Sequence, residues 1–215
     1  MKILVSEDLW NFDLEQALQQ ISAQRREQAL KFKFELGQRQ CVLSYLLLKQ
    51  LLAEVFGYRE NPVFEFGEHG KPAIVGHPEM FFNMSHCREA VACVVAHQAV
   101  GIDVEAVREY TPSLLNYVMS ADEQAQIAAA ERQDLAFISL WTKKEAVLKL
   151  TGEGLRDNVR TVLEECTMQN AECTMQNAEC TMQNAECTML STTVSENQRY
   201  VYTVAYWKED GRGKM

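Results

Sequence analysis

The strongest constraint on the fold is a change of hydrophobic period that occurs twice along the chain. Apolar Leu14, Ala17, Leu18 and Ile21 recur at helical spacing, and a second apolar stretch runs from Val42 to Val55 before Gly57, so residues 14–56 read as helical. From Pro62 to Val107 the apolar runs become short or alternating and are broken by Gly67, Gly70, Pro72, Gly76 and Pro78, a pattern of strands and turns. Residues 81–95 and 99–104 are the best strand candidates. Helical composition returns over 112–150, through the Ala-rich stretch Ala121–Ala136 and then Leu140–Leu150, with Gly152 and Gly154 as stops. Tyr200–Tyr206, β-branched and aromatic, reads as a closing strand. Helix, strands, helix, strands predicts an α+β fold, compatible with two similar halves divided as 1–98 and 99–215.

A chain of 215 residues is long enough to bury about 70% of its unfolded surface, so it needs no disulfide or metal staple. Its 21 Lys and Arg stand against 30 Asp and Glu, a net charge of −9, which argues against nucleic acid as a partner. A polyanionic ligand would have to meet a local basic pocket. Glu7 and Asp8 interrupt the N-terminus before an apolar signal segment can form, and the longest apolar run, Ala90–Ala96, is far short of a membrane span. A cytoplasmic protein without membrane attachment is expected. Of the seven cysteines, four (Cys166, Cys173, Cys180, Cys187) belong to a repeat, which gives no support to a disulfide framework.

That repeat is Glu-Cys-Thr-Met-Gln-Asn-Ala, present three times from Glu165 to Ala185 and followed by a partial copy, Glu186–Met189. Met and Ala at 3,4 spacing make a thin coiled-coil seam without charged flanks, and cysteines seven apart do not match the short pairs of zinc sites. The repeat therefore reads as a loop insertion at 165–189 between two elements of the second half.

Four short segments carry candidate chemistry. Gly101-Ile102-Asp103-Val104-Glu105 puts two carboxylates on one face of a strand, a geometry suited to a hard cation such as Mg²⁺ shared with phosphate. The plain alternative is a solvated strand edge. Trp141-Thr142-Lys143-Lys144-Glu145-Ala146-Val147-Leu148-Lys149 places Glu145 and Lys149 one helical turn apart, either as a surface ion pair or as a third carboxylate beside phosphate-binding lysines. Phe82-Asn83-Met84-Ser85-His86 offers a hydroxyl and an imidazole at the end of a strand, and Gly70-Lys71-Pro72 a turn with one cation. Together they form a parts list for Mg²⁺-dependent phosphoryl transfer or pyrophosphate cleavage.

In order and separation these four segments resemble the 4′-phosphopantetheinyl transferases of the surfactin-synthetase-activating (Sfp) type, over roughly residues 20–160. The resemblance implies a pseudo-dimer of two similar α+β halves with the active site in the cleft between them. It implies Mg²⁺ (or Mn²⁺) on Asp103, Glu105 and Glu145, and coenzyme A as co-substrate held by Lys71, Ser85, His86, Lys144 and Lys149, with Arg25 and Arg39 as looser basic contacts. Glu145, His86 and Lys149 would serve the chemistry, Glu145 either as base or as metal ligand, and Glu123 matches a weaker acidic position near the metal. The implied reaction moves the phosphopantetheine arm to a serine of an acyl or peptidyl carrier protein and releases adenosine 3′,5′-bisphosphate, with the enzyme acting as a monomer. Two other classes stay open: a Mg²⁺-dependent nucleotide pyrophosphate hydrolase, and a non-catalytic carrier-binding module.

Overall fold

The structure is a computed structural model that describes residues 1–67, 69–152, 154, 159–166 and 188–208. It is mixed α+β. Strand β1 (Lys2–Ser6) opens the chain, followed by helices α1 (Leu14–Gln19), α2 (Ala23–Leu30) and α3 (Glu35–Phe56). The region 14–56, read from sequence as two helical stretches, is thus three helices. Ser22 caps α2 by accepting a hydrogen bond from the Arg25 amide at 3.1 Å, and α3 ends at Gly57 in the left-handed conformation (φ 71°).

A short hairpin, β2 (Phe64–Phe66) and β3 (Pro72–Ile74), leads to β4 (Phe81–His86), β5 (Val91–Ala96) and β6 (Val100–Ala106). The candidate strand 81–95 is two antiparallel strands joined by a turn at residues 87–90, where the Cys87 amide donates to the Ala90 carbonyl at 2.9 Å. Helices α4 (Pro112–Val118), α5 (Ala121–Ala129) and α6 (Gln133–Thr151) follow, then a 3₁₀ turn (Val159–Thr161), a helical stretch at 162–166, and strands β7 (Thr188–Val194) and β8 (Tyr200–Trp207). Ser120 and Glu123 form a reciprocal capping box that starts α5.

Two three-stranded antiparallel sheets result, in the orders β1-β5-β4 and β6-β8-β7. Strand alternation then sorts the side chains into layers. Cys93 and Val95 of β5 join Val42, Tyr45, Leu48 and Leu52 in a core beneath α3. Their neighbours Ala92 and Val94 face the other way and meet Ile102, Val104 and Val204 between the two sheets. Val201 and Ala205 of β8 face out again onto Phe137, Ile138, Val147 and Leu150 of α6. The order of layers is helix, sheet, sheet, helix.

Helix α6 lies very close to β6. A Cβ at Gly101 would collide with the Ala146 carbonyl oxygen and come within 2.5 Å of the Leu150 nitrogen, so the approach requires glycine at this strand position. The same face of β6 carries Asp103 and Glu105, which are thereby turned toward α6.

The expected insertion at 165–189 lies mostly outside the described residues. At its edges, Cys166 is helical and buried among the residues under α6, and Thr188 and Met189 belong to β7, opposite Trp207 and Tyr206. No helix among the described residues is long and apolar enough to cross a membrane.

Candidate active site

Asp103 is the centre of the site. It sits in β6, only 3% exposed, and its Oδ1 accepts two hydrogen bonds: from Ser85 Oγ of β4 at 2.8 Å and from Lys149 Nζ of α6 at 2.6 Å. Lys149 Nζ also donates to Ser85 Oγ at 3.0 Å, so strand, strand and helix meet in one polar cluster. Asn83 brings β4 to this place by accepting the Ile102 amide on its Oδ1 at 3.1 Å, a side chain standing in for a ladder hydrogen bond between the two sheets. Asp103 Oδ2 is buried and has no hydrogen-bond partner among the described residues.

The other two expected carboxylates feel Asp103 electrically. Burial, then the negative charge of Asp103, raises the Glu105 pKa above the usual carboxylate range, against the opposing pull of Arg108, a Trp141 hydrogen bond and Lys149. Burial and Asp103 raise Glu145 in the same way, with Lys149 opposing and Glu105 adding to the rise. Two carboxylates pushed toward the neutral form beside Asp103 mark a place where a cation is favourable. Among the described residues no three His, Cys, Asp or Glu side chains are drawn into a closed metal-binding group. The oxygen-only donor set and the orphaned Asp103 Oδ2 nevertheless fit a hard cation such as Mg²⁺.

Beside this cluster is a pocket of about 240 Å³, open on one side and lined by Lys71, Asn83, Met84, Glu145, Lys149 and Gly152 among others. Lys71 reaches it from the turn between β2 and β3. Its Nζ donates at 3.0 Å to the Leu150 carbonyl, one of the acceptors left open at the end of α6, and burial lowers its pKa. His86, at the end of β4, keeps its side chain accessible. Desolvation, followed by the positive charges of Lys149 and Arg25, lowers its imidazole pKa.

The structure therefore brings Lys71, Ser85, Asp103, Glu105, Glu145 and Lys149 to one region, with His86 at its margin. Three expected cations are placed otherwise. Lys144 is fully buried; its Nζ pairs with Glu123 Oε2 at 2.8 Å and donates to the Val159 and Arg160 carbonyls at 3.0 and 2.9 Å. Those three acceptors use all of its protons, so Lys144 and Glu123 belong to the packing of α5, α6 and the 3₁₀ turn rather than to the pocket. Arg39 is committed to Glu35 and to the Leu9 and Phe12 carbonyls, and lies over the rings of Trp10 and Phe12 beside a separate groove. Arg25 spends Nε and Nη2 on the Cys41 carbonyl, tying α2 to α3, although its charge still reaches His86. Asn83, Met84 and the close approach at Gly101 are contributions the sequence reading did not assign; only Asn83, a polar residue in an otherwise apolar strand run, offered a signal.

Residues 99–205, which include β6, α6 and β8, match the family model of the 4′-phosphopantetheinyl transferase superfamily. Over this stretch the chain is similar to that superfamily. Among curated relatives it is 33% identical over 145 residues to 4′-phosphopantetheinyl transferase psf-1 of Bacillus pumilus, covering 66% of this chain and 62% of that protein. It is 27% identical over 138 residues to 4′-phosphopantetheinyl transferase Sfp of Bacillus subtilis (strain 168), covering 63% and 62% respectively, and 38% identical over 96 residues to 4′-phosphopantetheinyl transferase AcpT of Salmonella typhi, covering 42% and 50%. The chain thus spans less than two thirds of the length of these relatives.

Proposed function

We propose that this protein transfers the 4′-phosphopantetheine arm of coenzyme A to a serine of an acyl or peptidyl carrier protein, releasing adenosine 3′,5′-bisphosphate. The observation that carries the reading is the Asp103 cluster at the edge of a pocket shared by Lys71, Glu145 and Lys149, in a chain whose residues 99–205 match this superfamily. The pocket would take coenzyme A. Its two lysines offer donors to phosphate oxygens at opposite sides, Lys71 from the hairpin turn and Lys149 from α6. Ser85 lies beside Asp103, and His86 is at the margin where a further phosphate could sit. We further read the fold as a pseudo-dimer of halves 1–98 and 99–215, because each half supplies a three-stranded antiparallel sheet covered by one long helix. The expected place of action is the cytoplasm and the expected state a monomer.

Asp103, Glu105 and Glu145 would hold Mg²⁺, which when bound supplies charge neutralisation at the pyrophosphate. The serine oxygen of the carrier attacks the phosphorus that bears the pantetheine arm, and the bond from that phosphorus to the bridging oxygen breaks, leaving the pair of electrons on adenosine 3′,5′-bisphosphate. Glu145 is either the third ligand of that cation or the base that takes the serine proton, directly or through one water. Lys149, hydrogen-bonded to Asp103 and lining the pocket, holds the phosphate against the site. Incubating apo-carrier proteins with the protein, coenzyme A and Mg²⁺ and measuring their intact mass tests the proposal. A gain of one phosphopantetheine arm on a serine is expected. Consumption of coenzyme A without any carrier product would mean pyrophosphate hydrolysis instead, and binding of carrier with no reaction would mean a non-catalytic module.

A further inference from the structure

We propose that Ser85 is a positioning residue of the cation site, which together with Lys149 saturates one oxygen of Asp103 and so aims the other at the bound cation. The inference rests on the cation site of the proposed function. A serine hydroxyl has a single proton to donate, and here it is directed at Asp103 Oδ1 at 2.8 Å. Its oxygen in turn accepts from Lys149 Nζ at 3.0 Å, while the same Nζ donates to Asp103 Oδ1 at 2.6 Å. The three groups close a ring in which Ser85 has no proton left for a phosphate oxygen.

Two donors on one carboxylate oxygen and none on the other is an uneven arrangement for a residue that is 3% exposed. A buried acceptor without a partner costs free energy, and a cation on Asp103 Oδ2 would relieve that cost. The backbone is arranged to hold this geometry. Asn83 and Ser85 share one face of β4, and the bond from the Ile102 amide to Asn83 Oδ1 sets β4 beside β6 at the level where Ser85 meets Asp103. Ser85 itself is 8% exposed, so the hydroxyl is fixed by its surroundings rather than by solvent. Hydrogen-bonding partners of metal-ligating side chains fix the ligand's orientation and influence affinity in just this manner.

The test uses the full chain with Ser85→Ala and Ser85→Thr, and Mn²⁺ alone as the probe, its free concentration followed by electron paramagnetic resonance. Coenzyme A binding is measured separately in EDTA. Ser85→Ala should bind Mn²⁺ about 10- to 100-fold more weakly than the wild type, and Ser85→Thr should recover most of that loss. If Ser85→Ala does not fold, Ser85→Cys, nearly equal in volume and a poor donor, carries the same expectation. Mn²⁺ held equally by wild type and Ser85→Ala overturns the inference alone. Weakened coenzyme A binding in EDTA with unchanged Mn²⁺ binding also overturns it, and makes Ser85 a phosphate contact. A wild type that retains no Mn²⁺ removes the cation reading, and the inference with it.

Discussion

Helix α6 carries two lysines five residues apart, each paired with a carboxylate at nearly the same distance: Lys144 with Glu123 at 2.8 Å and Lys149 with Asp103 at 2.6 Å. In both pairs one carboxylate oxygen is buried without a hydrogen bond among the described residues, Glu123 Oε1 and Asp103 Oδ2. The difference lies in what surrounds them. Lys144 is sealed from solvent and its remaining protons are taken by the Val159 and Arg160 carbonyls, while Glu123 also closes the cap of α5 through the Ser120 amide at 2.7 Å. The Lys149 side chain is 28% exposed and lines a pocket, and Asp103 acts electrically on two further carboxylates, Glu105 and Glu145. An ion pair becomes a candidate site when it adjoins a cavity and carries unbalanced charge of one sign. With neither, the same pair is a structural fastener.

The comparison is broken most readily at the two lysines. Lys144→Met should cost about 3–5 kcal/mol in urea unfolding, because it leaves Glu123 buried without its cation. Lys149→Met should cost only about 1–2 kcal/mol, since the pair is partly solvated, yet should remove carrier modification. Equal stability losses would mean that the two pairs are alike and that the distinction drawn here fails.

Gly101→Ala tests whether the site depends on the closeness of α6 to β6. Adding the Cβ drives it into backbone atoms of Ala146 and Leu150, which cannot move without shifting the turn of α6 that bears Glu145 and Lys149. A destabilisation of about 1–3 kcal/mol or more is expected in the same measurement, together with loss of carrier modification.

Glu145→Gln sharpens the electrostatic side of the comparison. Burial and Asp103 raise the Glu145 pKa in the folded protein, so ionising Glu145 costs folded-state stability as pH rises from the ordinary carboxylate range through the raised value. In EDTA at pH 8 the glutamine variant should therefore show a higher urea midpoint than the wild type, with the gap closing as pH falls into the range where Glu145 is protonated. A lower midpoint at pH 8 would contradict the crowding of carboxylates. The smallest effect is expected from deleting one seven-residue copy, 169–175, which leaves Cys166, Thr188 and the flanking sequence in place. The entropy of closing the loop expected from the sequence changes slowly with its length, so the urea unfolding free energy should move by less than about 1 kcal/mol.

Much of the pocket's carboxylate side was legible in the sequence, because alternation alone puts Asp103 and Glu105 on one face of β6, and helical spacing alone places Glu145 and Lys149 one turn apart. What each cation does was less legible. Lys144 and Lys149 look alike in sequence, and their roles diverge only because the chain returns after α6 to put the Val159 and Arg160 carbonyls over one of them. Arg25 and Arg39 are likewise absorbed by carbonyls of distant residues, Cys41 in one case and Leu9 and Phe12 in the other. Strand β1 is five residues with no turn signal of its own, and its partner β5 lies some ninety residues away, so only the tertiary fold defines it. The copies of the heptad have the same sequence, and local preference could not tell which of them would end in β7.

In the proposed function Asp103 is the centre of the transfer site. The most direct measurement is the rate of carrier modification by Asp103→Asn, an isosteric change that keeps an acceptor for Ser85 and Lys149 but removes the charge, with its urea midpoint taken alongside. A fold that stays intact and a rate reduced by a factor on the order of 10²–10³ or more is the predicted result. Modification of the carrier at the wild-type rate would contradict it.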